Sequence, residues 1–166
     1  MASIATIQSA KRQQRPVTPT SSMEARIQRA IARIAETDCP MLILGEHGVG
    51  KRAVAAQIHA LSSHSRSHYQ ELHCEDTDAA ALEAALLVGG TVYLAEVTEL
   101  GLALQERLVN YFHAAEKPAC RILCGSSREL PEEVKAWRMR EDFYYLVSAI
   151  TLRIPPLRCR KSEILL

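Results

Sequence analysis

The sequence predicts an α/β fold in which a five-stranded parallel sheet is flanked by helices. Short apolar segments alternate with amphipathic helical segments along the chain, the order that produces parallel strands. Residues 41–44 are continuously apolar, as in a strand that is buried on both faces. A glycine-rich run, residues 45–52, follows this strand directly and precedes a helical segment.

The predicted elements follow one another at short intervals. The first helix begins at Ser21 and Ser22, which can cap its N-terminus, and ends near Asp38, before Pro40. Further helices are predicted at residues 51–61, 79–88, 102–112 and 140–147, and further strands at residues 69–73, 91–97, 121–125 and 149–154. Pro131 opens one more helical turn, a position that proline favours.

Length and composition indicate one globular domain with a polar tail. The chain has 166 residues, 48% hydrophobic and 23% charged, and a net charge of +1, so no overall field directs it to nucleic acid or membrane. Residues 1–20 are polar and weakly basic and are predicted to be disordered, leaving residues 21–166 as the core. The chain lacks an apolar run of about 18 residues and an apolar signal peptide, which favours a cytoplasmic protein.

Cysteine and histidine spacing does not indicate a disulfide framework or a metal site. The five cysteines are odd in number and spread along the chain, as expected for thiols in a reducing compartment. Cys120 and Cys124 would share one face of a strand, but two further ligands in register are not evident.

The run at residues 45–52 has the pattern of a phosphate-binding loop. Gly45 and Gly50 are separated by four residues, and Lys51 follows at the start of a helix. Glycines let main-chain N–H groups approach phosphate oxygens, the helix N-terminus adds positive potential, and the lysine neutralises the β- and γ-phosphates. A chance glycine turn is the alternative. The predicted nucleotide-binding residues are Gly45, Glu46, His47, Gly48, Val49, Gly50, Lys51 and Arg52.

Arg52 departs from the general loop pattern. Ser or Thr normally follows the lysine and ligates Mg²⁺ through its hydroxyl. A guanidinium has no lone pair with which to ligate a cation. The identity of the family therefore matters for the expected chemistry.

Four segments together resemble the AAA+ domain of sigma-54-dependent transcriptional activators, a P-loop NTPase family in which Glu commonly follows the lysine. The loop with its flanks, residues 42–54, is similar to the first nucleotide motif. Residues 89–97 resemble the second motif, and residues 102–108 the helix after it. Residues 138–145 and 153–158 resemble the arginine-finger segment and the end of the domain.

The resemblance implies a protein that binds ATP with Mg²⁺, assembles into rings with itself or a related AAA+ subunit, and remodels RNA polymerase carrying sigma-54. It also implies catalytic roles for three residues. Glu96 matches the glutamate that polarises the attacking water, Ser127 matches a polar sensor that is usually Asn, and Arg140 matches the first arginine finger. Each has a plainer alternative: a strand-end carboxylate, a turn residue, and a surface partner of Glu141 or Asp142.

Several family features are changed or absent. Ala95 stands where the family has the Asp that holds Mg²⁺, which predicts a weakened metal site, and Leu146 falls on the second arginine finger. The Gly-Ala-Phe-Thr-Gly-Ala loop that contacts sigma-54 is missing, because residues 75–88 contain only an acidic turn and a short helix. We also expect no helical lid and no DNA-binding domain.

Three functional hypotheses follow. The first is an ATP-binding AAA+ module of a sigma-54-type transcriptional regulator, with weak or absent hydrolysis because Ala95 replaces the Asp. The second is a non-catalytic protein that senses nucleotide, or that joins and modulates the rings of an intact AAA+ relative. The third is a truncated or decaying gene product without an independent role.

Overall fold

A computed structural model describes residues 22–114 and 118–156. The strands are β1 (Met41–Leu44), β2 (Tyr69–His73), β3 (Gly90–Ala95), β4 (Cys120–Ser126) and β5 (Thr151–Arg153). The helices are α1 (Ser22–Ala35), α2 (Lys51–Leu61), α3 (Ala79–Val88), α4 (Leu102–Ala114), α5 (Leu130–Lys135) and α6 (Glu141–Ser148). The strands form one parallel sheet in the order β2–β3–β4–β1–β5, which confirms the predicted architecture.

Helices cover both faces of the sheet because alternate strand residues point to opposite sides. In β1, Leu42 and Leu44 belong to the core cluster that contains residues of α3, α4 and α6. Met41 and Ile43 belong to the cluster formed with α1 and α2. The apolar run of β1 is thus explained by burial on both sides.

The parallel arrangement brings the carboxyl ends of the strands to one edge of the sheet. At this edge β1 leads into the loop of residues 45–50, β3 ends at Ala95, and β4 ends at Ser126. Because β4 pairs with both β1 and β3, the three chain segments that leave these strands are close neighbours. Ligands of open α/β sheets bind at such an edge.

The structure corrects several predicted boundaries, among them that of β5, which spans Thr151–Arg153 rather than residues 149–154. Two of the corrections have a clear local cause. Strand β3 stops at Ala95 rather than at residue 97, because Glu96 has a left-handed conformation (φ 52°) and leads into a 3₁₀ turn, Val97–Glu99. The prediction that Glu96 lies in the strand is therefore wrong. Helix α1 ends at Ala35 rather than near Asp38, because the backbone N–H and hydroxyl of Thr37 both donate to the carbonyl of Ile34 and close the helix.

Parts of the sequence-based predictions fall outside the described residues. These are residues 1–21, which include the predicted tail and the predicted cap Ser21, and residues 157–166, which include Cys159. Within residues 22–114 and 118–156, no helix is long and apolar enough to cross a membrane.

Candidate functional site

The loop between β1 and α2 depends on glycine at three positions. Gly48 and Gly50 have φ values of 78° and 94°, in the left-handed region that favours glycine. At Gly45, an added Cβ would lie 2.9 Å from both the carbonyl oxygen of Ile154 and Cγ2 of Val49. Val49 is itself buried and belongs to the core cluster formed with α1 and α2, so the loop is anchored to the core at this residue. The glycine spacing in the sequence therefore corresponds to real requirements of the backbone.

Lys51 begins α2 and turns its side chain back over the loop. Its ammonium donates to the carbonyl oxygens of Gly45 (2.8 Å) and Glu46 (3.2 Å). It also forms an ion pair with Glu96, with 2.9 Å between Nζ and Oε1, and only 8% of the side chain is exposed. The lysine is thus held at the loop, where an anion would have to compete with Glu96 for it.

Glu96 is a half-buried carboxylate whose two oxygens both have partners. Oε1 pairs with Lys51, and Oε2 accepts hydrogen bonds from the backbone N–H (2.9 Å) and hydroxyl (2.7 Å) of Ser127. Burial alone would raise the pKa of Glu96, but the hydrogen bonds from Lys51 and Ser127 outweigh it and hold the pKa below its usual value. Glu96 is therefore a stably charged group.

The residues at this edge do not fit a magnesium site. The methyl group of Ala95 offers no ligand atom, and Arg52 offers only donors. Both oxygens of Glu96 are engaged as described, and Glu99 pairs with Arg128. No group of three or more His, Cys, Asp or Glu side chains within the described residues is arranged to hold a metal ion.

Arg52 extends from the first turn of α2 to β2. Its Nε lies 2.6 Å from Oε2 of Glu71, a carboxylate that is only 13% exposed, whereas 77% of the Arg52 side chain is exposed. His73 approaches the other oxygen of Glu71, with 3.5 Å from Nε2 to Oε1. Arg52 is thus linked to β2 through its Nε, while most of its side chain remains in solvent.

A cleft of ≈ 670 Å³ opens between the loop and the ends of β3 and β4. Its lining includes Glu46, His47, Ala95, Glu96 and Ser127. The cleft therefore brings together two of the eight predicted loop residues, Glu46 and His47, and two of the three predicted catalytic residues. Lys51 adjoins them through its ion pair with Glu96.

Cys74 also lines this cleft but has no nucleophilic character. Burial, together with the nearby charge of Glu96, raises the pKa of its thiol to about 12. The reactive form of cysteine is the thiolate, which this environment suppresses.

Arg140, the third predicted catalytic residue, is not part of the cleft lining. It precedes α6, and its guanidinium contacts Asp142 through two hydrogen bonds of 3.0 and 2.8 Å and approaches Glu106 at 3.8 Å. The structure therefore shows the ion pair between Arg140 and Asp142 that was the alternative to the arginine-finger role. Glu106 is a second acidic neighbour of Arg140, which the sequence did not predict. Leu146, on the same helix, packs against the core and carries no charge.

The prediction did not include Gln105, a fully buried amide that holds the Arg140 segment. Its Nε2 donates to the carbonyl oxygens of Leu100 (2.7 Å) and Arg138 (3.2 Å), and its Oε1 accepts from the backbone N–H of Arg140 (2.9 Å). The signal for this role was present, because Gln105 lies one helical turn before Leu108, on the face predicted to point inward.

Comparison with known families and sequences identifies relatives among transcription regulators. The family model described as the Sigma-54 interaction domain matches residues 19–157. Over 84% of its length, the chain is 31% identical to the anaerobic nitric oxide reductase transcription regulator NorR of Vibrio vulnificus. Over 81% it is 30% identical to the transcriptional regulatory protein ZraR of Klebsiella oxytoca. The matches cover 34% and 37% of these relatives, so the chain spans about a third of their length.

Solved structures share the fold. NtrX from Brucella abortus, crystallised in complex with ADP, aligns with a TM-score of 0.76 over 87% of this chain and 39% of that chain, at 24% identity. The P-loop NTPase domain of the sigma-54 transport activator from E. coli aligns with a TM-score of 0.71 over 82% of this chain and 97% of that chain, at 19% identity. The fold is therefore that of a P-loop NTPase.

Proposed function

This chain belongs to the Sigma-54 interaction domain family, and from that premise we propose that it is an ATP-binding AAA+ module of a sigma-54-type transcriptional regulator with weak or absent ATP hydrolysis. The proposal includes a cytoplasmic location and ring partners, which are copies of the chain or a related AAA+ subunit. RNA polymerase carrying sigma-54 is the target that the family resemblance suggests.

ATP binding is supported above all by the loop of residues 45–50 and by Lys51, which follows it and donates to its carbonyl oxygens. The left-handed glycines shape the backbone so that N–H groups can face an anion. The N-terminus of α2 adds its partial positive charge, and Lys51 already lies over the loop. A nucleotide phosphate would replace Glu96 as the partner of this ammonium.

Weak hydrolysis is supported by the side chains around Glu96. Loss of the Asp at position 95 removes a charge-assisted contact to the metal shell, which costs about 1.5–3 kcal/mol, or roughly tenfold to a hundredfold in Mg²⁺–nucleotide affinity. Glu96, with a lowered pKa and hydrogen bonds to both oxygens, is a poor acceptor for a proton from water. Ser127 offers one hydroxyl where an amide would reach further.

Nucleotide binding and steady-state phosphate release, measured on the same preparations, test this function. We expect the native chain to bind ATP and to release phosphate slowly or undetectably. The variant Ala95→Asp should release phosphate faster, because it restores the missing carboxylate. Rapid turnover by the native chain would disprove weak hydrolysis, and failure to bind ATP would disprove the nucleotide function.

The Arg140 segment favours a second candidate function, the modulation of rings formed by an intact AAA+ relative. Buried Gln105 fixes the backbone of Arg140, while the guanidinium remains partly exposed at the surface, as a residue that reaches a neighbouring subunit would be. Such a subunit could enter a ring without contributing a competent hydrolytic site of its own.

A mixing experiment tests the second candidate. An excess of the chain should change the ATPase rate of an active relative, and Arg140→Ala should reduce this effect. Lys135→Ala, which alters another exposed cation, is the matched control. An ATPase rate that stays constant at excess chain would count against ring modulation.

A further inference from the structure

We propose that this chain binds ATP without magnesium and that the guanidinium of Arg52 occupies the place of the metal at the phosphates. This inference rests on the proposed nucleotide function and goes one step beyond a weakened metal site. In this proposal a side chain of the protein, rather than a metal ion, supplies the positive charge that balances the phosphates.

This edge of the sheet fits a magnesium ion poorly. The general loop has a hydroxyl after the lysine, and the family resemblance predicts an oxygen-bearing Glu there and an Asp before the second glutamate. Here those positions hold Arg52 and Ala95, neither of which has an oxygen ligand. Glu96, the carboxylate next to Ala95, already accepts from Lys51 and Ser127.

The two changed positions also alter the charge of the site. Compared with a loop that has a neutral hydroxyl after the lysine, and with an aspartate at position 95, Arg52 and Ala95 make the site more positive by two charges. Compared with the family, in which Glu commonly follows the lysine, the difference is three charges. Either difference is at least the charge of a magnesium ion, so Arg52 can supply the positive charge that a triphosphate requires, from a position next to Lys51.

Arg52 also stands at a suitable position. In the general motif, the residue after the lysine carries the hydroxyl that ligates Mg²⁺. Arg52 starts from this backbone position, in the first turn of α2, and carries a longer side chain with several donors. Guanidinium groups bind phosphate oxygens with two parallel hydrogen bonds, so Arg52 has the chemistry to take the place of a cation at the phosphates.

Arg52 is held by an ion pair with Glu71, the holding contact, from which it can be released. The distance from its Nε to Oε2 of Glu71 is 2.6 Å, and most of the Arg52 side chain is in solvent. His73 lies 3.5 Å from the other oxygen of Glu71 and remains as a neighbour when the arginine leaves. Among the residues that the structure describes, Glu71 is the ion-pair partner with which a phosphate group would compete for this guanidinium.

Calorimetric titration of the full chain with ATP, in excess EDTA and in excess MgCl₂, tests the inference. We expect the native chain to bind ATP with the same affinity in both solutions. Arg52→Ser should bind about tenfold to a hundredfold more weakly in EDTA, because a charged hydrogen-bond donor is lost. Arg52→Lys should retain part of the affinity, and Arg52→Ser combined with Ala95→Asp should make binding depend on magnesium.

Two further variants separate a phosphate role from a structural one. Glu71→Gln weakens the holding contact without touching the loop, so it should tighten ATP binding in EDTA if Arg52 moves to the phosphates. Arg107→Ser removes another exposed arginine that is paired with a carboxylate, Glu83, and should leave ATP affinity unchanged.

The possible failures are distinguishable. Native binding that requires MgCl₂, or Arg52→Ser binding as tightly as the native chain in EDTA, would overturn the inference while leaving ATP binding intact. An unchanged affinity of Glu71→Gln would also overturn it, since Arg52 would then serve only to tie α2 to β2. Absence of binding in both solutions would remove the proposed nucleotide function together with the inference.

Discussion

The loop of residues 45–50 and the carboxyl ends of β3 and β4 border the same cleft but differ in what they retain. The loop keeps glycine where φ is positive and keeps Lys51 at the start of α2. The strand ends carry Ala95 and Ser127 where the family has an acid and, usually, an amide.

This difference has a physical origin. The backbone of the loop depends on its glycines, because Gly48 and Gly50 have left-handed φ values and a Cβ added at Gly45 would lie 2.9 Å from the carbonyl oxygen of Ile154. The positions that differ at the strand ends are side chains. Ala95 still pairs in register with His73 across the sheet, so the loss of a carboxylate there leaves the ladder intact. Side chains at the strand ends can thus change without a change in the backbone of the loop.

The largest expected effect concerns the lysine of the loop. Lys51→Ala should lower ATP affinity by at least about a hundredfold, because it removes the central cation and leaves the charge of Glu96 facing the phosphates. Titration calorimetry measures this effect, with the exposed Lys135→Ala as control. If the affinity stays the same, the phosphates bind elsewhere and the contrast between the two regions disappears.

A smaller effect is expected in the loop backbone. Gly45→Ala places a Cβ against Ile154 and Val49 and should lower the free energy of unfolding by about 1–3 kcal/mol through overpacking. Urea denaturation provides the measurement. Gly101→Ala is the matched control, because an added Cβ there meets no atom within 4 Å. Equal stability of the two variants would show that the loop is not shape-restricted.

At the strand ends, Ser127→Ala should have a modest effect on stability. The substitution removes the 2.7 Å hydrogen bond from the hydroxyl to Glu96 but keeps the one from the backbone N–H. Because the side chain of Glu96 is 27% exposed, water can donate a hydrogen bond in place of the hydroxyl. We expect a loss of about 1 kcal/mol in the free energy of unfolding and unchanged ATP affinity. A fall in affinity as large as that of Lys51→Ala would show that the strand ends, too, are essential for binding.

The smallest effect is a change in acid sensitivity. The folded protein lowers the pKa of Glu96, so this group stabilises the fold above its unfolded pKa, and the contribution is lost as pH falls through the folded pKa. Glu96→Gln should therefore show a flatter decline of unfolding free energy than the native chain as pH falls below about 4.5, the usual value. Parallel curves for the two proteins would contradict this assignment.

The local sequence pattern was sufficient for much of the fold. The predictions for residues 41–44, 51–61, 69–73 and 79–88 agree with β1, α2, β2 and α3, because apolar periodicity and flanking turn residues act over short range. The prediction for Glu96 failed for the opposite reason. Its left-handed backbone directs the carboxylate to Lys51 and Ser127, and these are contacts between separate strand ends.

The sequence by itself determined the parallel sheet and the loop, since burial pattern and glycine spacing are properties of neighbouring residues. Only the tertiary structure decided the partners of the charged groups: Glu96 for Lys51, Glu71 for Arg52, and Asp142 with Glu106 for Arg140. Most of these pairs join distant parts of the chain, and their geometry follows from the packing of helices on the sheet. The sequence thus determined the loop and its lysine, whereas the packing around them determined which charged side chains lie beside them.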